Sequence, residues 1–128
     1  MSSVCVLWNT PLINQEITTL DFPKMRNLVT DKMVQSVATK HTEVDTLCLE
    51  HCKRLTDVSI CSLAEHYAKE LTYVNISYCP LLTDKAIKGL EKCRNLKTLI
   101  IIGCNGVSTK AVRNLSSALR HVQLYPPL

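Results

Sequence analysis

Seven cysteines and four histidines are the residues of this 128-residue chain best suited to act as nucleophiles or metal ligands. The cysteines are Cys5, Cys48, Cys52, Cys61, Cys79, Cys93 and Cys104, and His51 adjoins Cys52. A thiolate beside an imidazole would make a nucleophile–base pair. Cys48, His51 and Cys52, close together in sequence, would be the beginning of a zinc site. The spacing fits neither. Structural zinc needs paired ligands such as C-x-x-C with a second pair, and none follows here. Cys48 and Cys52 also fall in different environments, the first facing out of a strand and the second turning in. The chain has three glycines, two of them in "GCNG", and no G-x-S-x-G, Walker or dinucleotide pattern. The expectation is a protein without catalytic residues, metal or cofactor, with a cysteine-based enzyme or metal protein as the last alternative. An odd number of cysteines without a secretion signal points to reduced thiols inside the cell.

What positions these cysteines is a repeat. Val44, Leu47, Leu49 and Cys52 follow the pattern L-x-x-L-x-L-x-x-C, as do Leu71, Val74, Ile76 and Cys79, and Leu96, Leu99, Ile101 and Cys104. Upstream, Ile17, Leu20, Phe22 and Met25 fit with Met in the cysteine's place, and Leu119, Val122 and Leu124 begin a further copy. Each copy has two parts. The first alternates apolar and polar residues, as in "LTYVNIS", and reads as a short strand. The second opens at Thr-Asp and then spaces its apolar residues by three or four, as at Ile60, Leu63 and Tyr67, at Ile87 and Leu90, and at Val112, Leu115 and Leu119. That is an amphipathic helix. The pairs Thr30-Asp31, Thr56-Asp57 and Thr83-Asp84 mark its start, with the Thr hydroxyl as cap and the Asp at the positive end of the helix dipole. The fourth copy keeps the hydroxyl in Ser108-Thr109 and loses the acid.

One strand–helix unit cannot hide its own apolar stripe, whereas stacked units can. The periodicity therefore predicts an α/β solenoid, with parallel strands on an inner curve and helices outside. The units run over residues 17–43, 44–70, 71–95 and 96–118, with a terminal strand and tail at 119–128 and a cap at 1–16. The recurring cysteine occupies one internal slot per coil, its thiol available to a neighbouring backbone carbonyl. In the cap, Trp8 with Val6, Leu7, Leu12 and Ile13 is placed to cover the first coil or to belong to a docking surface, the cap being favoured. Pro126-Pro127 stops the last strand from pairing further.

With "LCLEHCKRLTDVSICSLAE" and "VNISYCPLLTDKAIKGLEKC", the chain resembles the cysteine-containing leucine-rich repeat known from F-box/leucine-rich-repeat proteins, over residues 17–125. That resemblance implies a module that holds a protein substrate for ubiquitin transfer. The 16 residues ahead of the first copy are too few for an F-box, so the expectation is an adaptor without one. In size the chain is also similar to mitochondrial factor B-like short leucine-rich-repeat proteins, which implies an accessory or assembly subunit of a large complex.

In a strand of this pattern the residues between core positions face outward. They are Thr19, Asp21, Pro23 and Lys24, then Thr46, Cys48, Glu50 and His51, then Tyr73, Asn75, Ser77 and Tyr78, then Thr98, Ile100 and Ile102, and last His121, Gln123 and Tyr125. From Thr46 onward, with Tyr125 from the last set, these are the candidate protein-contact residues, because Tyr73, Tyr78, Ile100, Ile102 and Tyr125 put apolar and aromatic groups where polar ones are usual. Coverage of the apolar "TLIIIGC" strand by the chain's own tail is the competing reading.

Lys85, Lys88, Lys92, Arg94, Lys97, Lys110 and Arg113 fall on or beside helices and read as a solvated face, with an acidic protein partner next. Residues 1–64 carry six Lys/Arg and seven Asp/Glu, residues 65–128 nine and four, for a net charge of +4. This bias is too small to argue for nucleic acid. No apolar run reaches the length of a membrane span, and the N-terminus carries neither a secretory signal nor an Arg-rich presequence. The expected location is intracellular, cytoplasmic or nuclear, with mitochondrial as the alternative.

Overall fold

The computed structural model describes residues 18–22, 24–41 and 43–126. Five strands alternate with four helices: β1 Thr19–Asp21, α1 Asp31–Ala38, β2 Thr46–Cys48, α2 Asp57–His66, β3 Tyr73–Asn75, α3 Asp84–Leu90, β4 Thr98–Ile100, α4 Thr109–Ala118 and β5 Gln123–Tyr125. The strands form one parallel sheet in sequence order, β1-β2-β3-β4-β5. The register follows the apolar pattern, so Leu20, Leu47, Val74, Leu99 and Leu124 stand side by side. This is the solenoid the periodicity predicts. Strands stack about 4.8 Å apart and packed helices about 8–10 Å apart. Coils that contribute one of each must therefore fan open on the helix side, and the sheet takes the inner curve.

Each helix starts where the hydroxyl pairs place it. Thr30, Thr56, Thr83 and Ser108 are extended residues whose side-chain oxygens accept from the backbone N–H of Met33, Val58, Lys85 and Ala111 at 3.3, 3.2, 3.3 and 3.2 Å. The following aspartates do more than complement the helix dipole. Asp31 accepts from the N–H (3.0 Å) and hydroxyl (2.6 Å) of Thr56 and from the hydroxyl of Ser59. Asp57 accepts from the N–H of Thr83 at 2.8 Å and from its hydroxyl. Asp84 accepts from the N–H and hydroxyl of Ser108, both at 2.7 Å. Each carboxylate thus bolts the cap of the next helix to its own coil. Thr109 breaks the series, and among the described residues no helix follows α4 for an acid there to hold.

The core is one continuous apolar layer between sheet and helices. Leu47, Leu49, Leu55, Ile60 and Leu63 are sealed in the second coil, and Val74, Ile76, Leu82, Ile87 and Leu90 in the third. Leu124, with a neighbouring strand on one side only, is half-buried. Helix C-termini are closed from the next coil. The buried Tyr67 donates its hydroxyl to the carbonyls of His41 and, at 3.4 Å, Ala38, at the end of α1. The Cys93 thiol, in the turn after α3, makes the matching contact with the carbonyl of Ala64 at 3.7 Å. Tyr67→Phe keeps the ring and removes the donor, so it is expected to lower stability by about 1 kcal/mol in urea unfolding. Trp8, the other residues of the proposed cap, Pro23 and Pro127 lie outside the described residues.

Candidate functional site

The register sets the outer side of the sheet in two rows, Thr19, Thr46, Tyr73, Thr98 and Gln123, and Asp21, Cys48, Asn75, Ile100 and Tyr125, of which Thr19, expected outward, is buried. Backbone bonding continues past the strands, from His51 N–H to the Ser77 carbonyl and from Tyr78 N–H to the Ile102 carbonyl, both at 2.8 Å. This carries the face onward through Glu50, His51, Tyr78 and Ile102.

The two ends of this face differ. At the first two coils it is polar, with one arginine set against two carboxylates. Arg26 pairs with Asp21 at 3.2 Å, lies 4.0 Å from the Glu50 carboxylate and donates to the Glu50 carbonyl at 2.6 Å. Cys48 is half-buried beside this cluster, and burial first, then Asp21 and Glu50, push its thiol pKa up. At coils three and four the face is apolar and aromatic. Tyr73, Ile100 and Ile102 are half-buried, whereas Tyr78 and Tyr125 are 46% and 40% exposed. Gln123 donates to the Tyr125 hydroxyl at 3.1 Å. Thr46, Asn75 and Thr98 are half-buried between these groups.

Ser77 departs from the expected outward position: it is 2% exposed. Its N–H donates to the Asn75 side chain at 3.1 Å, which turns the chain and ends the strand's alternation. Its hydroxyl then accepts from the N–H of Ile102 at 3.1 Å. Ser77 fastens coil three to coil four and presents nothing to a partner.

Along the turn that follows, His51, Tyr78 and Gly103 share a left-handed backbone, with φ of 63°, 57° and 75°. The His51 and Tyr78 rings stack with centroids 4.6 Å apart. The Tyr78 ring in turn lies over Gly103, where an added Cβ would fall 2.4 Å from Tyr78 Cδ1. The aromatic step at 78 thus requires the missing side chain at 103. Gly103→Ala is expected to cost about 1–3 kcal/mol, combining left-handed strain with displacement of the ring. In a Tyr78→Ala background the same substitution should cost clearly less, which a double-mutant cycle by urea unfolding measures.

The cysteines sequence reading put inside are there. Cys52, Cys79 and Cys104 have no exposed surface. The Cys79 thiol donates to the Leu49 carbonyl at 3.2 Å, and the Cys104 thiol to the Ile76 carbonyl at 3.0 Å. Burial raises the thiol pKa of Cys52 and Cys93 to about 11 and of Cys79 to about 12. Thiols held protonated in this way are poor nucleophiles and poor metal ligands. Among the described residues no group of three or more His, Cys, Asp or Glu is arranged to hold a metal, and no helix is long and apolar enough to cross a membrane.

Sequence reading missed Arg26, which links Asp21 of the first coil to Glu50 of the second, and the second role of the aspartates. The recurrence of Asp at coil spacing was visible, but a carboxylate's partner in the next coil leaves no local pattern.

No family model matches the chain. Over 69 residues, 53% of its length, it is 35% identical to the SCF E3 ubiquitin ligase complex F-box protein pof2 of Schizosaccharomyces pombe, and the match spans 15% of that relative. Among solved structures, it superposes on a chain of the Rad7 and Elc1 complex of yeast with a TM-score of 0.72 at 18% identity, covering 85% of this chain and 27% of the other. It also superposes on the leiomodin-1 actin-binding site 2 with a TM-score of 0.69 at 14% identity, covering 90% and 72%. These likenesses establish the fold: a leucine-rich-repeat-like α/β solenoid.

Proposed function

We propose that this chain is a non-catalytic protein-binding module of the F-box/leucine-rich-repeat kind, acting as a substrate-recognition or adaptor unit. The observation that carries the reading is the apolar end of the sheet face. Tyr78 and Tyr125 are solvent-exposed beside Tyr73, Ile100 and Ile102, where β3 and β4 are paired on both sides and β5, which carries Tyr125, on one. Exposed tyrosines on a rigid frame are favourable anchors, because little side-chain or backbone freedom is lost when a partner docks. Thr46, Cys48, Glu50, His51, Asn75 and Thr98 form the polar rim of the same contact. The 35% identity to an F-box protein supports the ubiquitin-ligase connection and an intracellular location.

The test is affinity purification of the tagged full chain beside Ile100→Glu and Tyr78→Ala, with matched circular dichroism. The expected result is recovery of a ubiquitin-ligase scaffold by the wild type and at least a tenfold loss with Ile100→Glu, which places a charge in the apolar contact. Retention of every partner by both variants would overturn the contact surface. Recovery of only the structural subunits of a large assembly would replace the adaptor reading with that of an accessory subunit.

A further inference from the structure

The opposite side of the molecule carries a second feature, independent of the sheet face. Between α2 and α3 runs an open groove lined by Cys61 and Gly89 with Lys85, Lys88, Lys92 and Arg94 around them. Its floor is made by small residues. A Cβ built at Gly89 would stand 3.0 Å from the Cys61 sulfur, so the missing side chain lets α3 pack closely on α2 and keeps the floor of the groove low. The Cys61 thiol donates to the Lys85 carbonyl at 3.5 Å and ties the start of α3 to α2. Of the cations, Lys88 is shared with Glu91 at 3.7 Å. Among the described residues no carboxylate pairs with Lys85, Lys92 or Arg94. In the preceding coil, Val58, Cys61 and Glu65 occupy the places of Lys85, Lys88 and Lys92, so the basic lining belongs to this groove and is not a property of the repeat.

We propose that the α2–α3 groove binds an acidic polypeptide segment, a short run of Asp and Glu in a partner protein. The groove complements such a segment in both charge and shape. Lys85, Lys92 and Arg94, which have no carboxylate partner, stand around a shallow floor of small residues, so a chain segment can lie along the groove over the Cys61–Gly89 contact with its carboxylates against the lysines. A polypeptide fits better than nucleic acid, because Glu91 stands in the groove wall and the whole chain carries only +4.

The test uses the full chain and a fluorescein-labelled peptide of alternating Glu-Glu-Gly units, with binding read by anisotropy at low salt. Lys85→Ala/Lys88→Ala/Lys92→Ala is expected to weaken binding by about tenfold or more, from three exposed charges of modest individual worth. Gly89→Leu, which fills the floor at unchanged charge, should also weaken it severalfold, with helix content checked by circular dichroism. Lys32→Ala/Lys40→Ala/Lys53→Ala removes equal charge away from the groove and should leave binding within about twofold beyond general screening. Equal loss in both triple variants would overturn the proposal, as would absence of peptide binding. Tighter binding of a single-stranded oligonucleotide through the same lysines would overturn it in favour of nucleic acid.

Discussion

Leu99→Ala is expected to lower the free energy of unfolding by about 2–5 kcal/mol, the usual cost of emptying a sealed leucine site. Leu99 has no exposed surface and stands in the sheet between Val74 and Leu124. Single domains hold about 5–15 kcal/mol in all, so this one truncation consumes a large share. The stack sharpens the expectation. Each coil of a solenoid is stabilised by its neighbours, so a cavity at β4 weakens the contact on both sides. Leu124→Ala removes the same atoms from β5, where the side chain is half-buried and paired on one side only. Its cost should be less than half as large. Urea unfolding followed by circular dichroism, at unchanged m-value, measures both. Equal costs at the two positions would contradict a core built by stacking.

Asp31→Ala is expected to cost about 2 kcal/mol. Its carboxylate accepts three side-chain and backbone hydrogen bonds from α2, and one donor, Ser59, is fully buried. Removing the acceptor leaves those donors without a partner, which costs more than the bonds contributed. A pH dependence accompanies it. Burial alone would raise the Asp31 pKa, but hydrogen bonds from Ser59 and Thr56 outweigh burial and hold it below the ordinary 3.8. Asp84 is lowered in the same direction by the N–H and hydroxyl of Ser108. A folded-state pKa below the unfolded one gives stability that is complete above the unfolded value and fades as pH falls through the folded value. The wild type should therefore lose stability as pH drops below about 4, and Asp31→Asn should flatten that part of the profile. Urea midpoints at pH 6 and pH 3 decide it; an unchanged acid slope in the variant would show that this carboxylate is not the cause.

The architecture was legible in the sequence because its signals are local. Alternating residues such as Val74 and Ile76 mark a strand, three-and-four spacing such as Ile60 and Leu63 marks a helix, and Thr56 before Asp57 marks where that helix begins. The period of the pattern, repeated with a cysteine at each turn, is enough to require that coils stack, and it put Cys52, Cys79 and Cys104 inside.

What only the tertiary structure decided lies between coils, among residues 24–30 apart in sequence. That Asp31 reaches Ser59, that Tyr67 closes the end of α1, and that the ring of Tyr78 occupies the space over Gly103 all depend on how far one coil is offset from the next. The same is true of Ser77, whose outward parity in the strand pattern was cancelled by the Asn75 turn. It holds equally for the close approach of Gly89 to Cys61, which exists only once α2 and α3 are packed side by side. Hydrogen-bond partners and voids are set to within an ångström by that offset, whereas an apolar residue needs only to be on the right face. For this reason the pattern sufficed for the core and could not specify the surface.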